Sequence, residues 1–156
     1  MTPAIDLLVK HKIAHQVHEY QHDPSCQAYG LEAAEKIGVT PELVFKTLVV
    51  KLDGKQLAVA IIPVAEKLSM KLISKAVKAK KAVMAEAMEV QRSSGYVLGG
   101  VSPLGQKRQL ITVIDQSAAT LEKMFVSGGR RGLDIELAPD DIKALLKAQF
   151  APITAE

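Results

Sequence analysis

Lys46 lies inside the apolar run Val44-Phe45-Lys46-Thr47-Leu48-Val49-Val50, which reads as a buried strand. On such a strand it shares a face with Leu48 and Val50. Two readings fit: a packed stem with its ammonium in water, or a cation aimed at a phosphate or an ester carbonyl. A desolvated amine at this position could also work as a base. Gly95-Tyr96-Val97-Leu98-Gly99-Gly100-Val101-Ser102-Pro103-Leu104-Gly105-Gln106 contains four glycines and a proline within eleven residues. It reads as a loop with too little side chain to form core. Glycine lets main-chain N–H groups approach a ligand closely, so this loop could bind a carbonyl oxygen or carboxylate in the manner of an oxyanion hole. A plain connection between strands is the alternative. Gly100-x4-Gly105-Gln106-Lys107 falls just short of a phosphate loop: the Lys-Ser/Thr pair is missing, which excludes nucleoside triphosphate hydrolysis.

Ser127-Gly128-Gly129-Arg130-Arg131-Gly132 combines permissive backbone with two arginines. It suits either a grip on phosphates or the sugar edge of a nucleotide, or a basic surface turn. His11, His15, His18 and His22 recur at intervals of four, three and four, a metal-like spacing on a helix. Ile13, Val17 and Tyr20 favour a strand there, which scatters the imidazoles to both sides, and no metal site is expected. Cys26, the single cysteine, sits in the polar stretch Asp23-Pro24-Ser25-Cys26-Gln27 with nothing nearby in sequence to activate it. No Ser-His-Asp order, nucleophile elbow or Cys-His pair is readable. A hydrolase built on this chain would therefore use water or a group of the substrate as nucleophile, and supply position and electrostatics itself.

The elements that must position these residues alternate in kind. Thr2-Pro3 caps a first helix near 2–12. Ala14 to Tyr20 reads as a strand, Gln21 to Tyr29 as a loop, and Gly30 to Gly38 as a short helix closed by its glycine. Thr40-Pro41-Glu42 starts another short helix. Phe45–Leu52 and Gln56–Pro63 are apolar at both parities and are joined by Asp53-Gly54-Lys55, a hairpin signal between strands covered on both faces. Helices are expected from Ser69 to Val77 and from Ala85 to Arg92, strands at Leu110–Asp115, Met124–Ser127 and Leu133–Leu137, and a last helix from Pro139. The class is mixed α/β with a largely mixed sheet, in one domain over 1–156.

Composition bounds the partners. Apolar residues make up 48% of the chain and charged ones 24%, ordinary for a soluble globular protein. With no tryptophan and 4% aromatic residues, a stacking platform for single-stranded nucleic acid is poorly supported. The net charge of +3 permits an anionic partner without demanding one. One cysteine rules out an internal disulfide framework and fits a reducing cytosol, and neither a secretory signal nor a transmembrane run is readable.

Several stretches match one family in order and spacing. They are Thr2-Pro3-Ala4, Tyr20-x-His22-Asp23, Phe45-Lys46-Thr47-Leu48, Met84-Ala85, Ser94-Gly95-Tyr96, Gly99 to Lys107 and Val126 to Leu133. Together they resemble the YbaK/EbsC family, freestanding relatives of the editing domain of bacterial prolyl-tRNA synthetases. The run Gly-Gly-x-Ser-Pro-Leu-Gly-Gln-Lys is the most specific part. The resemblance implies a compact α/β fold around a mixed, barrel-like sheet surrounded by short helices. It also implies cytoplasmic trans-editing of mischarged tRNA, in the best-known case deacylation of Cys-tRNA(Pro), without a cofactor. The alternatives are a deacylase of another small mischarged amino acid such as Ala-tRNA(Pro), or a non-catalytic module that binds tRNA or a synthetase. By position, Lys46 matches the essential lysine, set against the terminal phosphate or ribose of the tRNA. Gly99, Gly100, Ser102 and Pro103 fall in the glycine–proline motif that shapes the aminoacyl pocket. Tyr20, Tyr29, Thr47, Ser127, Gly129, Arg130 and Asp134 fall at or near pocket-lining positions. Tyr29 stands where relatives carry phenylalanine, and Arg130 where they often carry lysine. The partners implied are the 3′-terminal CCA end of an aminoacyl-tRNA and prolyl-tRNA synthetase in a ternary complex, with the chain itself a monomer.

Overall fold

The computed structural model describes residues 1–156. Five α-helices and eight strands alternate along the chain. Helix α1 (Pro3–Lys10) begins where Thr2 Oγ1 accepts the Ile5 amide at 3.3 Å, with proline at its first position. The same Thr2 hydroxyl donates to the Gly128 carbonyl, tying the start of the helix to a strand 126 residues away. Strand β1 (His15–Glu19) and α2 (Tyr29–Ile37) follow, and Gly38 closes α2 in the left-handed region at φ +87°.

Strands β2 (Phe45–Leu52) and β3 (Gln56–Pro63) form the expected antiparallel hairpin, in register from Phe45–Pro63 to Leu52–Gln56. Asp53 and Gly54 turn it with φ of +51° and +72°. The Asp53 carboxylate then accepts the Lys80 and Lys81 amides at 3.1 and 2.9 Å. Those bonds bring the chain after α3 (Met70–Ala76) back to the hairpin tip. There β4 (Ala82–Met84) pairs only with Val50–Leu52. The Val49 carbonyl still accepts the Ala85 amide at 3.0 Å, and residues 45–48 of β2 have no partner in β4. After α4 (Ala87–Ser94) come β5 (Ile111–Asp115), a 3₁₀ turn at Gln116–Thr120, β6 (Met124–Arg130), β7 (Leu133–Leu137), α5 (Pro139–Leu146) and β8 (Gln149–Ala151).

The strands make two sheets, β4-β2-β3-β5-β8 and β1-β7-β6. The first is mixed, because β3–β5 and β5–β8 are parallel. The sheet is barrel-like only loosely: no closed barrel forms, and an isolated bridge between Val44 and Phe125 links the two sheets. The largest core cluster lies between them, with Phe45, Val49, Val59, Ile61 and Ile114 from one and Met124, Val126, Leu133, Ile135 and Leu137 from the other. A second cluster (Val50, Ala58, Ala60, Ile62, Val113) fills the opposite face under α3. That arrangement explains why β2 and β3 are apolar at both parities. No helix is long and apolar enough to cross a membrane.

The structure departs from the expected elements in several places. β4 and β8 are three-residue strands without a period-two signal of their own, and β6 continues to Arg130 through a bulge between Ser127 and Arg130. The Gly95–Gln106 loop is not poor in core: Tyr96, Ser102 and Leu104 are buried. Tyr96 Oη donates to the Leu104 carbonyl at 2.6 Å, and Gln106 Nε2 to the Ser102 carbonyl at 3.0 Å. The loop is a small closed unit docked on the main core.

Candidate active site

The free edge of β2 opens onto a cavity of about 440 Å³, walled by β2, the start of α2, the glycine loop and the β6–β7 hairpin. That volume is in the range of small-molecule sites. Most of its lining is apolar, and it contains no cysteine or histidine. Its charged members are Lys46, Arg130, Arg131 and a single carboxylate, Asp134. Because β4 stops short, both Lys46 and Thr47 reach the cavity although neighbours on a strand point to opposite faces.

Lys46 is half-buried and belongs to none of the ion pairs, which join His18–Glu136, His22–Glu32, Lys51–Glu89 and Arg130–Glu19. Burial lowers its pKa below the ordinary lysine value; Glu66 partly opposes this and Lys67 adds to it. Asp134 is buried on β7, opposite His18 of β1 and Ser127 of β6. Its carboxylate makes no hydrogen bond within the chain, and burial pushes its pKa up to about 7, outweighing an opposing pull from His18. Tyr20, on the same wall, is pushed up to about 12, first by burial and then by the Asp134 charge. Thr47 Oγ1 is buried without a hydrogen-bond partner. Such a hydroxyl costs about 1–3 kcal/mol unless something supplies the missing bond.

The rim is built differently. Arg131 Nη2 donates to Tyr29 Oη at 2.5 Å, and its guanidinium lies 3.7 Å from the centre of the Tyr29 ring. The same guanidinium covers Gly99, where φ is +90° and a Cβ would lie 2.5 Å from Arg131 Nε. Behind Tyr29, His22 Nδ1 pairs with Glu32 Oε1 at 2.6 Å, and Glu32 Oε2 accepts the Asp23 amide at 2.9 Å. That clamp folds the loop after β1 onto α2.

Of the residues singled out in the sequence, Lys46, Gly99, Tyr20, Tyr29, Thr47, Ser127, Arg130 and Asp134 face one cavity. Gly100, Ser102, Pro103 and Gly129 do not. Gly100 packs on the Arg130 backbone, where a Cβ would come within 2.8 Å of Cα, and its amide is bonded to the Val97 carbonyl at 3.0 Å. It therefore has no free donor for an oxyanion, unlike Gly99, whose amide makes no hydrogen bond within the chain. Ser102 and Pro103 are buried in the loop, and Gly129 abuts Tyr96, 2.8 Å from a would-be Cβ. These four shape the wall from behind. Arg131, which the sequence offered only as half of a basic pair and not among the pocket-lining positions, lines the cavity beside Arg130. The only signal for it was the Arg-Arg pair in the hairpin turn.

Comparison with known proteins bears on the family and the fold. The family described as an aminoacyl-tRNA editing domain matches residues 24–145. The Enterococcus faecalis protein EbsC, provisionally named a Cys-tRNA(Pro)/Cys-tRNA(Cys) deacylase, is 34% identical over 155 residues, which cover 99% of this chain and 94% of EbsC. The uncharacterised Bacillus subtilis protein YwhH is 30% identical over 111 residues, 71% of this chain and 70% of its own length. A crystal structure provisionally described as a trans-editing enzyme for prolyl-tRNA synthetase superposes with a TM-score of 0.84 at 21% identity, covering 99% of this chain and 96% of that one. The hypothetical protein APE2540 superposes at 0.88, also at 21% identity, over 99% of this chain and all of its own. At that identity the two structures speak for the fold. With the sequence matches beside them, the chain belongs to the YbaK/EbsC family of aminoacyl-tRNA editing domains.

Proposed function

We propose that this protein is a trans-editing deacylase that removes cysteine from mischarged Cys-tRNA(Pro), and from Cys-tRNA(Cys) where it meets it, in the cytoplasm. One observation carries the reading: Lys46 and Asp134, of opposite charge and both without an ion-pair partner in the chain, face the same mostly apolar cavity. The end of an aminoacyl-tRNA carries the complementary charges, a phosphodiester and an α-ammonium group. In this arrangement Lys46 holds the terminal phosphate or ribose and Asp134 receives the ammonium. Tyr20, Tyr29, Thr47, Ser127 and Arg130 line the space between, and Gly100, Ser102, Pro103 and Gly129 keep the walls in place.

The absence of cysteine and histidine from the lining supports a nucleophile brought by the substrate. The cysteine thiol attacks its own ester carbonyl. The sulfur–carbon bond forms, the ester carbon–oxygen bond breaks, and the thiol proton passes to the departing ribose oxygen. The products are a cyclic thiolactone and free tRNA. The Gly99 amide is the donor available to the developing oxyanion. Selection among small amino acids is needed because an apolar pocket separates such substrates by only about 1–3 kcal/mol. Choice of tRNA is delegated to prolyl-tRNA synthetase in a ternary complex, in keeping with the modest charge of a monomeric chain.

Deacylation of Cys-, Ala-, Ser- and Pro-tRNA(Pro) tests the reading. Rapid loss of cysteine alone is the expected result. Equal turnover of Ser-tRNA(Pro) sinks the thiol route, preference for alanine changes the substrate, and no turnover of any member leaves a binding module.

A further inference from the structure

Arg131 differs from its neighbour in the turn. Arg130 has Glu19 at 3.6 Å, whereas Arg131 has no carboxylate partner and rests on neutral groups only. It reaches from the β6–β7 turn to the first residue of α2 and passes over the left-handed Gly99. It thus joins three walls of the cavity at its mouth. A guanidinium on an aromatic face, with one phenolic oxygen as acceptor, still has donors to spare. It has the planar fork that phosphate oxygens match.

We propose that Arg131, held in place by the Tyr29 ring and hydroxyl, is the residue that captures a phosphodiester of the substrate's 3′ end at the cavity mouth. This rests on the deacylase reading for the identity of the ligand. The hydroxyl matters because it fixes the direction of the fork: phenylalanine at this position would offer the same stacking face with no acceptor. On binding, the phosphate replaces water around the spare guanidinium donors while the ring contact persists. Lys46 deeper in the cavity and Arg131 at its mouth then divide the work, one placing the reacting end and the other the backbone that leads to it.

The test is equilibrium binding of an uncharged, CCA-ended RNA microhelix by fluorescence anisotropy over a range of salt concentrations. A lost contact to a single strand lowers the slope of log K against log salt by about 0.7. Arg131→Met is expected to flatten the slope by that amount and weaken binding about tenfold at low salt. Arg131→Lys, which keeps the charge but not the fork, should keep the slope and recover part of the affinity. Tyr29→Phe should weaken binding a few-fold, about threefold, with the slope intact. Lys71→Met, exposed on α3, controls for net charge and should leave the slope as it is. A wild-type slope in Arg131→Met, or no binding by the wild-type protein, overturns the proposal even if deacylation is brisk. An Arg131-dependent slope in a protein that deacylates nothing would instead sink the deacylase reading and leave Arg131 as the phosphate contact.

Discussion

The floor and the rim of the cavity treat their polar groups in opposite ways. On the floor, borne by β2 and β7, Lys46, Thr47 and Asp134 sit in sheet-fixed positions with their polar atoms unpaired within the chain. On the rim, borne by loops and a helix start, Arg131 is bonded to Tyr29 and His22 Nδ1 to Glu32, and only His22 Nε2 is left buried without a partner. Unpaired groups on a rigid sheet cost folding energy and gain it back only from a ligand. Paired groups on loops stabilise the empty protein and bind with the donors they have left over. The floor is therefore where stability and activity should trade against each other, and the rim is where they should not.

The largest effect that tests this contrast is expected from Lys46→Met, which keeps the aliphatic stem and removes the ammonium. Deacylation should fall about a hundredfold or more. Because burial disfavours the ammonium, the melting temperature should hold or rise. A clear fall in melting temperature would mean that Lys46 is structural.

Asp134→Asn comes next, and its effect depends on pH. The folded carboxyl titrates near 7, above its ordinary 3.8, so the native state binds this proton more tightly than the unfolded one. Its contribution to stability is thus lost as pH rises from the unfolded value to about 7. The asparagine variant should gain stability over wild type at pH 8 and little at pH 4. The same charge should put a shoulder near pH 7 in kcat/KM, which reports the free enzyme. In the variant the shoulder disappears and activity above pH 7 falls about tenfold. An unchanged pH profile would remove Asp134 from the reaction.

Thr47→Val is the smallest of the three. It deletes a buried hydroxyl that has no partner in the chain, so stability should be unchanged or slightly higher while kcat/KM drops a few-fold, about two to five. If both fall together, the hydroxyl has a partner within the fold and the contrast between floor and rim weakens.

Much of this was legible because local rules and burial agreed. Thr2-Pro3, Asp53-Gly54 and Gly38 marked their cap, turn and stop by backbone chemistry alone, and the Lys46 strand was visible in its apolar neighbours. What escaped depended on distant partners. β4 exists because Asp53 draws the Lys80 and Lys81 amides to the hairpin tip, a bond between residues about thirty positions apart that no local pattern encodes. Tyr96 and Leu104 make a glycine-rich loop into packed structure through a hydrogen bond that composition cannot announce. Within the site, Gly99 and Gly100 are identical in sequence, yet one amide is free and the other is taken by Val97. Arg130 and Arg131 are likewise adjacent twins, separated only by which way the hairpin turns each one.

The pairing of β1 with β7, which sets His15 against Leu137, carries a consequence for how the protein is made. The wall that holds Asp134 cannot exist until a ribosome has released most of the chain, since its first strand waits on one more than a hundred residues later. Lys46, by contrast, lies in a hairpin whose strands are joined by a three-residue turn, so its own wall pairs locally. Lys46 and Asp134 therefore face one cavity only once β7 has been made and has paired with β1.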